Sequence, residues 1–439
     1  MKKILIALAL SPSFLWAQTN SIAFDEYDLD NGLHVILHED HSTPIVAVSV
    51  SYHVGSKNED PTRTGFAHFF EHLLFEGSEN IGRGEYMKLV QDNGGVLNAN
   101  TSFDRTFYYE ILPSNQLELG LWMESERMLH AKIDQIGVDT QREVVKEELR
   151  ERNENTPYGS IMNEVFEHAF VEHPYRWTPG GSPEYINQAN LDEFMDFYKT
   201  FYVPNNACVS IAGDINPAQA KIWIEKYFGS IAKGTHVIPR PTIVEPMKVA
   251  EVRDTVYDNI QLPAVVQAYH GPAQGTEDAY AVEMMSMVLS QGSSSRLQKN
   301  VVDKQQKAVF VGAFPMPTED PGLLLMFGIA NMGVEVLALE KSMNLEVDKM
   351  TEELISIEEY EKLRNQIEND FISGNASMAG IAESLSDYYL YYNGETNLVN
   401  TEMDRYLKVT REDILEAAKK YLRSENRVTL HYLPKTEKE

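Results

Sequence analysis

From Gly65 to Phe75 the chain reads GFAHFFEHLLF, apolar at nearly every position except His68, Glu71 and His72. At helical spacing His68 and His72 share one face, a turn apart, and Glu71 lies beside them. A second helical run, QREVVKEELRERNE at 141–154, has Val144, Val145 and Leu149 as its apolar stripe. Glu148 falls within that stripe. Glu147 points to one side, and Glu143 and Glu151 lie at its edge or beyond. Runs rich in valine and alanine, such as PIVAVSVSYHVGS from Pro44 and PAVVQAYHGPA from Pro263, predict strands followed by a turn.

The pattern repeats. NLDEFMDFYKTFYVPNNACVSIAGD begins at Asn190, and TREDILEAAKKYLRSENRVTLHYLP begins at Thr410, 220 positions later. Each opens on a capping box, Asn190 with Glu193 and Thr410 with Asp413. Each continues as an amphipathic helix, meets a polar break and ends in a β-rich run. Between the copies, GTHVIPRPTIVEPMKVAEVR carries three prolines and no helical period, which reads as a linker. The chain is therefore expected to divide into domains at 24–235 and 250–434, with a linker at 236–249. Strands and helices mix in each half, so the expected class is α+β.

Composition narrows the function. With 43% hydrophobic and 10% aromatic residues over 439 positions, the chain is globular and long enough for two cores. A net charge of −28 argues against nucleic acid as a partner and mildly favours basic ones. The N-terminus, MKKILIALALSPSFLWAQ, places two lysines before an apolar run from Ile4 to Trp16. This is the layout of a signal peptide at 1–17, cut after Ala17, although Leu15 is large for its place. Export to a bacterial periplasm is expected. The run is too short to span a bilayer, and no other segment suits a membrane anchor. Cys208 is the sole cysteine, so neither an intrachain disulfide nor a cysteine metal site can form, and its strand-like setting suggests a buried, inert thiol.

Two imidazoles one helical turn apart suit a divalent transition metal, zinc first. Their apolar flanks make unpartnered polar groups costly, which favours such an ion. A carboxylate beside the ion, here Glu71, can act as a general base. The order His-x-x-Glu-His is the inverted form of the common zinc-peptidase motif. A third ligand is needed, and an acid on an apolar helix face needs a partner, so Glu148 is the candidate.

These residues resemble the pitrilysin/insulinase family of inverted-zincin metallopeptidases, in the two-domain branch similar to the mitochondrial processing peptidase. His68, Glu71 and His72 match its ligand, base and ligand. Glu148 stands at the spacing of its third ligand. GGVLNANTSFDRTFYYEIL (94–112) resembles its active-site edge strand, and HPYRWTPGGSPEYI (173–186) its signature loop. The resemblance implies two homologous α/β-sandwich domains per chain, a clam-shell dimer around a closed chamber, and one Zn2+ per chain. It also implies peptide binding along Asn98, Ala99 and Thr101.

Two positions depart from the family. Where it often carries a glutamate seven residues before the third ligand stands Gln141, which keeps a supporting hydrogen-bonding role for the site. The family's substrate-polarising Arg and Tyr become Val302 and Val309, which cannot donate a hydrogen bond. Arg296, in the preceding turn, reads as structural. The expected activity is zinc-dependent endopeptidase cleavage of extended peptides, completed by a heterodimer partner of the same fold that carries the Arg and Tyr. The alternatives are a non-hydrolytic peptide-binding or scaffold subunit, and a zinc hydrolase acting on something other than peptides.

Overall fold

Strands apolar on both faces form the centres of two sheets. The computed structural model describes residues 21–435, so the expected signal segment lies outside them. Strands β1 (Asp25–Asp28), β2 (His34–Glu39), β3 (Ile45–Tyr52), β4 (Val96–Thr101), β5 (Thr106–Pro113) and β6 (Ala207–Gly213) lie in the order β1-β2-β6-β3-β5-β4. Strands β7 (Val252–Asp258), β8 (Ala264–His270), β9 (Ala308–Met316), β10 (Leu323–Ala330) and β11 (Arg427–Pro434) lie in the order β7-β11-β8-β10-β9. Only β2 with β6 and β7 with β11 pair in parallel. Without β1 the two orders are the same, and the fold is α+β with two domains of one topology.

The repeat extends to single side chains. Both expected capping boxes form, at Asn190–Glu193 and Thr410–Asp413. After each of these helices an asparagine ties its end to the sheet. Asn206 Nδ2 donates to the carbonyls of Phe201 and His53, and Asn426 Nδ2 to those of Tyr421 and His270.

Side-chain size decides what covers each face of the first sheet. Val46, Val48, Val50 and Tyr52 point to one side, into a core with the helices Leu117–Leu129, Leu191–Phe201 and Pro217–Phe228. The opposite face carries small residues, among them Ala47, Ser51, Cys208 and Ala212. They let a helix from the second half, Met378–Tyr391, approach closely and bury Ile381, Ala382 and Leu385. Ser51 Oγ donates to Ser386 Oγ across that contact at 2.8 Å. Cys208 is fully buried there, and burial pushes its thiol pKa well up, so it is inert.

The second sheet receives a helix in return. Ile161–Ala169, from the first half, buries Val165 and Phe166 against Val266, Ala268, Leu325 and Leu430. Packing therefore crosses the division suggested by chain order.

A polar network fastens the same junction. Lys57, 4% exposed, pairs with Asp104 at 2.8 Å, Glu319 at 2.5 Å and Asp320 at 3.3 Å. Tyr175 donates to Asp104 at 2.7 Å, and His53 contacts Glu319 at 3.0 Å. Burial alone would lower the Lys57 pKa, but the charges of Asp104 and Glu319 outweigh it and raise it to about 12. Burial would raise the Glu319 carboxyl, yet His53 and Lys57 bring it down to about 2.

A carboxyl held below its unfolded value adds stability that is complete above that value, here 4.5, and is lost as the pH falls through the folded one. Allowing for its partial exposure, Glu319→Gln should destabilise the chain by about 2 kcal/mol at pH 7 and by clearly less at pH 3. Urea unfolding of both proteins at the two pH values measures this, and an unchanged difference would refute it.

Candidate metal centre

Phe66–Leu73 is a helix, and its apolar residues fall on one stripe. Phe66 and Phe69 stack on Phe194, each at 4.6 Å between ring centres, and Phe70 stacks on Phe197 at 5.5 Å. Gly65 begins the helix at φ +98, a conformation open to glycine. A Cβ there would lie 2.9 Å from the carbonyl of Gly180. A Cβ on Gly181 would collide with the Gly65 amide, so the GG of the 173–186 loop and Gly65 need each other's lack of a side chain.

Buried polar side chains clamp both ends of this helix. Glu59, 6% exposed, accepts hydrogen bonds from the amides of Gly65 at 2.9 Å and Ala67 at 2.8 Å. Arg127 donates to the carbonyl of Leu74 at 3.1 Å. It pairs with Glu124 at 3.0 Å and Glu110 at 3.4 Å and lies over the rings of Phe75, Tyr86 and Tyr108. Burial pushes the Glu59 carboxyl up to about 8, so it serves these amides chiefly as a buried acceptor, while the Arg127 cation at the C-terminus favours the helix dipole. Sequence reading missed this clamp, because Glu59 stands six residues ahead of Gly65, outside any capping-box pattern.

The fixed helix presents His68 and His72 to the helix Gln135–Arg150, which begins at the Asp134 cap. Val138, Val145 and Leu149 are its buried residues. Val144, expected in that stripe, is instead 46% exposed, because the neighbouring helix covers only one side. Glu148 turns inward and Glu147 outward. Glu148 Oε2 lies 3.0 Å from His72 Nε2, and Oε1 lies 3.6 Å from His68 Nε2. The neighbouring His68 and then His72 imidazoles hold the Glu148 carboxyl far below the usual carboxylate range. Glu147 pairs with Arg150 at the surface.

One ligand atom from each of His68, His72 and Glu148 can be chosen so that all lie within 4.8 Å of one another. Two imidazoles and one carboxylate at that spacing are the donor set of a catalytic zinc site. Glu71 stands beside them, its Oε2 accepting from Thr101 Oγ1 at 2.6 Å. Thr101 ends β4, the edge strand of the first sheet, which pairs with β5 alone among the described residues. Along β4, Leu97, Ala99 and Thr101 are half-buried, while Asn98 is exposed.

Other expectations take different forms. Gln141 Nε2 donates to Glu76 Oε1 at 2.5 Å. Glu76, buried, also pairs with Arg83, so the amide supports the neighbouring loop and touches none of the three metal-site residues. Arg296 forms a two-pronged pair with Glu359, at 2.8 and 3.0 Å, in keeping with a structural role. Val302 packs against the second core and Val309 is half-exposed on β9, so neither position offers a donor. Arg152, which sequence reading passed over, lies 2.5 Å from Glu148 Oε1.

Comparison with known proteins shows the family and the fold. Residues 34–178 match the model of insulinase (peptidase family M16), and 188–367 that of the peptidase M16 inactive domain. The zinc protease PqqE of Helicobacter pylori is 31% identical over 98% of this chain and 97% of its own. The crystal structure of a protease from Helicobacter pylori superposes with a TM-score of 0.90 at 30% identity, covering 94% of this chain and all of that one. The periplasmic protease PqqL of Escherichia coli superposes with a TM-score of 0.75 at 18% identity, covering 93% of this chain but 47% of its own.

Because Glu148 faces the imidazoles and Glu147 faces solvent, Glu148→Gln should lower zinc affinity about 100-fold or more, whereas Glu147→Gln should leave it near wild type. Metal content after dialysis against graded chelator separates the two variants, and the reverse order would disprove the assignment.

Proposed function

The chain belongs to the peptidase M16 (insulinase) family, and on that premise we propose that it is a zinc-dependent endopeptidase acting on extended peptides. The observation that carries this reading is the convergence of His68, His72 and Glu148 beside Glu71 at an open sheet edge. His68 Nε2, His72 Nε2 and a Glu148 oxygen would hold the ion. Zinc bound there polarises a substrate carbonyl and makes water acidic enough to lose a proton near neutral pH.

The chain's own groups supply the rest. Glu71 takes the proton and returns it to the departing amine. Thr101 fixes one Glu71 oxygen, and the other has no hydrogen-bond partner among the described residues, which leaves it available for the proton. The outward backbone of β4, around Asn98, Ala99 and Thr101, pairs with an extended peptide as an added strand, the Ala99 amide exchanging its 2.9 Å bond to Asn98 Oδ1 for one to the peptide. Such pairing reads backbone and accepts varied side chains. The net charge of −28 favours basic substrates through steering.

The two positions that the family resemblance assigns to oxyanion donors are valines in this chain. Val302 and Val309 cannot provide one, and losing one such donor commonly costs about a hundredfold or more in rate. A second chain of the same fold therefore supplies an Arg and Tyr pair and closes the chamber. The length of the PqqL chain, of which this one spans 47%, accommodates two such units. An N-terminal signal layout places the complex in the periplasm. The same two valines favour a second reading, a non-hydrolytic subunit that holds peptides for a partner.

Glu71→Gln should keep about one zinc per chain and lose hydrolysis, since an amide cannot take the proton. Metal analysis with a peptide-library digest tests this, and wild-type turnover by the variant would refute the base. The purified chain alone should bind zinc and cleave poorly until the partner is added. Efficient cleavage by a monomer or homodimer would overturn the partner requirement, and absence of cleavage with every same-fold partner would favour the non-hydrolytic reading.

A further inference from the structure

A second site lies in the other domain. The turn Gly292–Ser295 follows the helix Glu277–Ser290 and leads into a π-helical segment, Gln298–Lys304. Beside it a cavity of about 600 Å³ opens toward the helices Val336–Glu352 and Ile357–Gly374. Five cationic side chains line it: Arg296, Lys299, Lys304, Lys349 and Lys362. Four glutamates line it too, but two are already engaged. Glu359 is held by Arg296, and Glu346 by Lys349 at 2.6 Å and Asn300 at 2.9 Å. Glu353 and Glu358 are exposed.

Three lysines are left without a carboxylate. Lys362 donates to Ser294 Oγ at 2.7 Å and the carbonyl of Gln291 at 3.3 Å, and Lys304 donates to Asn300 Oδ1 at 3.1 Å. The Lys299 side chain has no hydrogen bond or ion pair among the described residues. An independent observation comes from the cavity wall. Ser295 is 2% exposed, and its buried Oγ has no hydrogen-bond partner. A buried hydroxyl left unsatisfied is costly unless a ligand or water completes it. The π-helical winding of the segment carrying Lys299 and Lys304 is rare and recurs at functional sites.

We propose that this cavity binds a small, multiply charged oxyanion of the phosphate class, held by Lys299, Lys304 and Lys362 with the hydroxyls of Ser294 and Ser295. Five cations against four carboxylates leave the lining one positive charge in excess, gathered on the side of the three unpaired ammonium groups because Glu353 and Glu358 are exposed, and the volume exceeds that of one phosphate. Lysine and serine supply point charges and rotatable donors, which suit a tetrahedral oxyanion. The net charge of −28 repels anions at long range, but at physiological ionic strength charges beyond about 8 Å are screened and the local cluster dominates.

The test uses pyrophosphate and the full mature chain at physiological salt. Calorimetry and thermal unfolding should show saturable binding and a raised Tm. The double variant Lys299→Gln, Lys362→Gln should weaken binding at least tenfold, and Ser295→Ala severalfold. Lys341→Gln, on the same helix as Lys349 but outside the cavity, should bind as wild type does. All four replacements are conservative in size, and unliganded Tm values check that each variant folds. The proposal falls if pyrophosphate does not saturate, if acetate at equal ionic strength gives the same shift, or if the double variant and Lys341→Gln bind alike.

Discussion

A helix with an apolar stripe and two imidazoles can hold a metal only if it cannot rotate or slide. Here the stripe of Phe66, Phe69 and Phe70 fixes rotation through the rings of Phe194 and Phe197. Sliding is opposed at the ends, where Glu59 takes two amides and Arg127 takes the Leu74 carbonyl. Arg127 is itself fully enclosed by two carboxyl groups and three aromatic rings. A buried guanidinium so surrounded is costly to disturb, since any movement would leave a charge without its partner. The placement of His68 and His72 thus rests on buried polar groups at the two ends of their helix.

That rigid element is coupled to the second domain by chain continuity. The 135–150 helix carries Glu148 and leads within about one turn of irregular helix to Ile161–Ala169, which is buried on the other sheet. In return, Met378–Tyr391 packs on the sheet that carries β4. Lys57 and its acids tie the remaining seam. Relative motion of the two domains within one chain would have to break two apolar contacts and a buried ion network together.

Charge is unevenly distributed. The chain is strongly acidic overall, with 66 Asp and Glu against 38 Lys and Arg. The lysine-rich cavity beside the π-helical segment is a local exception, set on the domain that lacks the zinc ligands. The two features lie on different domains and use opposite chemistry, so one does not compete with the other.

Periodicity and spacing made much of this legible. His68, Glu71 and His72 share a helix face, and Glu148 was separable from Glu147, because a helix converts position directly into direction. The paired capping boxes and the 220-residue repeat were equally local, since a cap is closed by residues three apart. Val144 was misplaced in the stripe because the apolar pattern alone does not say how wide a face the neighbour covers. What lay beyond reach was every contact between distant segments with no periodic signature. Glu59 beneath the 66–73 helix, Gln141 on Glu76 and the exchange of helices between sheets are of this kind. The lysines gathered at Ser295 belong here too, since Lys362 comes from a helix far along the chain. Sequence by itself determined which side chains could act together on one helix, and tertiary structure decided which helices meet, because that choice depends on the size and charge of residues hundreds of positions apart.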